Sequence, residues 1–144
     1  MKFVVDTNIL FSFFKKGSFT RKLILSDALE LISPSYALDE LDKYSKELLS
    51  KSHITSSELS SILTELQKKV KFFKLEEYED KLQEAMKLAE NFSDNEFTEF
   101  LDDIDFVALA LKEDCSIWSK DKLLKKQSKV KSLDTKELVE ELSK

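Results

Sequence analysis

What most limits the fold of this chain is a set of short, unbroken apolar runs separated by stretches of helical period. Phe3-Val4-Val5 starts almost at the first residue, does not alternate with polar residues, and stops at Asp6. A strand of that kind is buried on both faces, as in a parallel sheet covered by helices. Leu31-Ile32-Ser33, Val70 to Leu75, Ser116-Ile117-Trp118-Ser119 and Val130-Lys131-Ser132-Leu133 are further strand candidates. Helical spacing fills the intervals. Ile9-Leu10, Phe13 and Phe14 lead to Gly17, the sole glycine and a natural stop. A second helix is expected over about Thr20 to Glu30, and a third from Pro34, with Ala37, Leu41, Tyr44 and Leu48 as its apolar stripe. Thr55-Ser56-Ser57-Glu58 is a capping box ahead of Leu59, Ile62, Leu63 and Leu66. A charged helix is expected from about Glu77 to Glu90. Ile104 to Leu111 forms the most apolar helix, with Asp102-Asp103 placed to cap it, and Thr135 is placed to cap a last helix. Strands alternating with helices imply an α/β protein with a mostly parallel central sheet.

The 144 residues contain no repeat, low-complexity tract or linker, so residues 1–144 are expected to form a single domain. One cysteine, Cys115, excludes a disulfide framework and a cysteine-based zinc cage. No signal-peptide pattern and no apolar run near the ~18 residues of a membrane span occur, so a cytoplasmic, membrane-free protein is expected. A net charge of −5 argues against a broadly basic nucleic-acid binder. It leaves room for an acidic metal site beside a local basic stripe.

Four acids are candidates for chemistry. Asp6 follows the first strand and Asp121 lies two residues beyond Ser119, so parallel strands place both at the carboxyl edge where open α/β sheets gather functional groups. At about 100° per residue Glu40 falls beside the Ala37, Leu41, Tyr44 stripe, whereas Asp39 points to solvent. Asp105 stands in the first turn of the apolar helix; with Asp102 and Asp103 able to cap, it is a surplus carboxylate. Each acid alone has an ordinary explanation as a cap, turn residue or ion-pair partner. Together, on one sheet edge, they repel one another unless a divalent cation neutralises them. A set of oxygen ligands without Cys or His selects Mg²⁺ or Mn²⁺. Such a site can promote attack of water on a phosphodiester.

The same residues carry a family resemblance. Val4-Val5-Asp6-Thr7-Asn8-Ile9-Leu10 resembles the opening motif of PIN domains, in which a strand delivers the first metal-binding Asp. Tyr36-Ala37-Leu38-Asp39-Glu40-Leu41 resembles the segment with the family's Glu, and Asp105-Phe106-Val107-Ala108-Leu109-Ala110 its Asp and alanine-rich helix. Ile117-Trp118-Ser119-Lys120-Asp121 is similar to its last motif, and all four occur in family order. The resemblance implies a three-layer α/β/α sandwich and Mg²⁺- or Mn²⁺-dependent endoribonuclease activity. Asp6, Glu40, Asp105 and Asp121 would be catalytic and metal-binding, with Asn8 and Ser119 as supporting polar residues. It further implies an RNA substrate, the VapC-type toxins of the family with an antitoxin partner, and a homodimer. The alternative is a catalytically silent PIN fold that binds RNA or protein as a scaffold.

Lysines flank both ends of this constellation. Lys120, Lys122, Lys125 and Lys126 surround Asp121, and Lys15 and Lys16 follow the first helix, so these six are the candidate RNA contacts. The lone His53 is expected at the surface between helices, with no catalytic part.

Overall fold

A computed structural model describes residues 1–51 and 53–144. Five strands, β1 (Lys2–Val5), β2 (Glu30–Pro34), β3 (Val70–Phe73), β4 (Ser116–Trp118) and β5 (Ser132–Leu133), form one sheet in the order β3-β2-β1-β4-β5. Every pairing is parallel, with Val4 opposite Ile32 on one side and Ile117 on the other. Phe3, Val4 and Val5 are all buried although neighbouring side chains point to opposite faces, so both faces of the sheet are covered. This is the layered α/β architecture expected from the unbroken apolar runs.

The eight helices are α1 (Thr7–Phe11), α2 (Phe19–Ile24), α3 (Tyr36–Ser50), α4 (Ser56–Lys69), α5 (Leu82–Lys87), α6 (Asp94–Asp102), α7 (Ile104–Glu113) and α8 (Thr135–Leu142) among the described residues. α7 packs against β1, β2 and β4 on one side and against α5 and α6 on another. Phe106, Val107, Ala108, Leu109 and Ala110 are consequently buried all round. Among the described residues no helix is long and apolar enough to cross a membrane.

Several boundaries differ from expectation for local reasons. The helix expected over Thr20 to Glu30 ends at Ile24, where Ser26 accepts a hydrogen bond from the Ala28 amide and turns the chain into β2. Pro34 does not open α3; it ends β2 opposite Phe73, and the helix begins at Tyr36. The charged helix expected from Glu77 to Glu90 is broken into two 3₁₀ turns, Leu75–Glu77 and Glu79–Lys81, followed by the short α5. The interruption coincides with Tyr78, only 1% exposed, which is drawn into the core. α6 was not expected, although Ser93 and Glu96 form a capping box at its start. At α8 the cap is Asp134, boxed with Glu137, while the Thr135 hydroxyl accepts the Trp118 indole N–H at 3.1 Å. The Thr55–Glu58 box opens α4 as expected.

Because α7 fills the space between the sheet and its neighbours, truncating it leaves a void that cannot collapse. Leu109→Ala is expected to cost about 2–5 kcal/mol, measured as a lower urea midpoint with an unchanged slope.

Candidate functional site

β1 and β4 are adjacent, yet the chain leaves β1 towards β2 and β3 and returns through β4 towards β5. Their carboxyl ends therefore flank the point where the connections diverge, the place where open parallel sheets form a crevice. Asp6 enters it straight from β1 and is 6% exposed. It accepts the Ile9 amide at 2.9 Å, capping α1, and its second oxygen accepts the Ser119 hydroxyl. Ser119, buried at the end of β4, also accepts the Asp121 amide at 3.0 Å. Asp121 in turn accepts the Leu123 amide at 2.9 Å. Asp6 and Asp121 thus act as caps and still belong to one connected polar network.

Glu40 projects from α3 half-buried, while Asp39 is exposed, as helical geometry requires. Thr7 donates its hydroxyl to Glu40 at 2.7 Å. Asp6, Glu40, Asp103 and Asp121 line one polar cavity of about 90 Å³ together with Thr7, Asn8, Tyr36 and Phe106. Asn8 is exposed at its rim.

Asp105 does not line the cavity; its carboxylate accepts the Tyr78 hydroxyl at 2.5 Å. Asp103 lines the cavity. It stands at the N-cap position of α7 but makes no side-chain cap bond, and its carboxyl instead faces Asp121. Thr7, Tyr36 and Tyr78 were also missed; none is acidic, and only the fold shows that the Thr7 and Tyr78 hydroxyls meet carboxylates while that of Tyr36 donates to the Asp102 carbonyl.

Burial and gathered negative charge raise the proton affinity of the acids at the site. Burial, then the proton shared with Asp121 and the charges of Asp121 and Asp6, push Asp103 up to about 8. Burial also raises Asp6, against the opposing hydrogen bonds from Ser119 and Ile9. Asp121 raises Asp6 further and Lys120 lowers it. Tyr36 is raised by its burial and by the neighbouring Glu40 charge.

This donor set suits a hard divalent cation: carboxylates supply oxygen only, and the uncompensated charge at Asp103 is what a cation would relieve. The cavity has room for about three waters, or for a small ion with part of its hydration shell. Among the described residues no three acidic, His or Cys side chains already converge as ligands of one ion. Asp6, Glu40 and Asp121 are each engaged by hydroxyl or N–H donors.

The six candidate lysines are not equivalent. Lys125 is paired with Glu137 and Lys126 with Glu96, which removes much of their free positive charge. Lys15, Lys16, Lys120 and Lys122 are exposed, and Lys120 acts electrostatically on Asp6. His53 lies on the surface beside Lys16, Arg21 and Ile54, away from the carboxylates.

A PIN domain family model matches residues 4–143. No curated protein matches the chain in sequence. Among solved structures, a chain in the crystal structure of VapBC2 from Rickettsia felis bound to a DNA fragment from their promoter aligns with a TM-score of 0.57 at 14% identity. The alignment covers 93% of this chain and 98% of that one, and at this identity the likeness is one of fold.

Raised titration of Asp103 has a measurable sign. Below pH about 4 its carboxyl is protonated in both folded and unfolded chains; above about 8 it is ionised in both, and only the folded form bears the repulsion. Metal-free stability contributed by this group is therefore lost as pH rises from 4 to 8. Asp103→Asn is expected to melt higher than wild type in chelator at pH 8. After solvent screening of a half-buried group, the gain is on the order of 1–2 kcal/mol, and it vanishes near pH 4.

Proposed function

The chain belongs to the PIN domain family, and from that membership we propose that it is a metal-dependent endoribonuclease acting through a single domain over residues 1–144. The observation that carries this reading is the meeting of Asp6, Glu40, Asp103 and Asp121, from four separate segments, in one polar cavity where the sheet connections diverge. These four carboxylates would hold the ion, Mg²⁺ or Mn²⁺ by their chemistry. When bound, the ion supplies Lewis acidity, offsetting phosphodiester charge and making a water more acidic.

The remaining work falls to the chain. Ser119 orients Asp6 through its hydroxyl, and Thr7 does the same for Glu40. Asn8 at the cavity rim offers an amide to substrate or ordered water. Lys120, with no ion pair among the described residues and with its charge acting on Asp6, is the lysine best placed for a phosphate at the cut; Lys122, Lys15 and Lys16 extend the strand path, and Lys125 and Lys126 join only by leaving their glutamates. The shared fold with a chain of a VapBC2 complex supports assignment as the toxin of a toxin–antitoxin pair, with an antitoxin and a second copy of itself as partners in the cytoplasm.

Asp6→Asn tests the reading with little change of shape, since an amide oxygen still accepts from Ile9. The variant is expected to fold, to lose Mn²⁺ binding by calorimetry, and to cleave single-stranded RNA more than about 100-fold slower, beyond the loss of an outer-shell partner. A wild type that binds no Mn²⁺ and cuts no RNA points to the scaffold instead.

A further inference from the structure

Resting on the reading that Asp103 holds the cation, we infer that Tyr78 and Asp105 form a positioning pair, whose hydrogen bond fixes the first turn of α7 so that Asp103 faces the cavity.

Among the described residues no hydroxyl or N–H donor holds the Asp103 carboxyl in that direction. Asp103 lies between the end of α6 and the start of α7, its side chain caps nothing, and the one side-chain partner it meets is Asp121, another carboxyl. Its amide donates to the Phe100 carbonyl at 3.0 Å, and its carbonyl accepts from Phe106 and Val107 at 3.1 and 3.4 Å. The direction of the carboxyl therefore depends on the set of that one turn. Two residues on, Asp105 reaches the Tyr78 hydroxyl at 2.5 Å, a charge-assisted bond of the short, strong kind. Tyr78 cannot follow a loosened helix: its ring is inside the core and its backbone is held between two 3₁₀ turns. Removing Asp105 would also strand a largely buried hydroxyl, so the bond is costly to break.

The pair also accounts for an acid in the first turn that neither caps α7 nor reaches the cavity. Asp105 looks like a ligand in the sequence, but its free role is mechanical. The distinction is testable because Asn at 105 can accept from Tyr78 yet lacks the charge of a ligand.

Mn²⁺ calorimetry should be run on Asp105→Asn, Asp105→Ala, Tyr78→Phe, the Tyr78→Phe/Asp105→Ala double variant and Asp103→Asn. Asp105→Asn is expected to bind within about threefold of wild type. Tyr78→Phe and Asp105→Ala should each weaken binding by about 10- to 100-fold, as loss of outer-shell support does. The double variant should be no worse than either alone. Asp103→Asn should lose more than any of them. Loss of binding in Asp105→Asn equal to that in Asp103→Asn would make Asp105 a ligand and overturn the inference. So would unchanged affinity in Tyr78→Phe, even with a lowered melting temperature. Amide exchange at Phe106 and Val107 without metal gives an independent reading. Faster exchange in Tyr78→Phe but not in Asp105→Asn supports the pair; unchanged exchange overturns it. Should wild type bind no Mn²⁺, the cation reading fails, and exchange alone decides whether the pair sets the turn.

Discussion

Carboxylates of like charge drift apart unless something holds each of them, and in this chain hydroxyl groups do much of the holding. Ser119 binds Asp6, Thr7 binds Glu40 and Tyr78 binds Asp105. Each hydroxyl comes from a different element than its carboxylate, so each bond also ties two parts of the fold together. Hydroxyls suit this task because they stabilise negative charge without cancelling it. A lysine in any of these places would have neutralised the acid and removed the charge that a cation can meet.

The sheet makes the convergence possible. Its order sends the chain away from β1 on one side and brings it back through β4 on the other, so Asp6 and Asp121 become neighbours although 115 residues apart in number. α7 completes the arrangement. Because it is buried on nearly every side, its position against β1, β2 and β4 is fixed by packing, and its first turn arrives at the same edge. Core and site are therefore not separable: the side chains that fill the interior also set where the acids end up.

That Asp6, Glu40 and Asp121 reach one edge of the sheet was legible because strand ends and helix phase depend on local pattern alone. The choice between Asp103 and Asp105 was not. Both stand at the start of one helix, and the usual habit of an N-terminal Asp is to cap, which Asp103 does not do. What separates them is Tyr78, 27 residues away and anchored by its own burial. The lysines show the same limit. A run of positive charge around Asp121 looks free until α6 and α8 bring up Glu96 and Glu137. The capping box of α6 is written in the sequence as Ser93 and Glu96.

Trp118 gives the molecule a consequence of a different kind. It is the chain's one tryptophan, fully buried in β4, with its indole N–H held by Thr135 and its backbone one peptide bond from Ser119. An indole shielded from water emits at shorter wavelength than an exposed one. Since the next residue is the one that orients Asp6, the intrinsic fluorescence of the protein is an optical gauge built into the strand that carries the cleft.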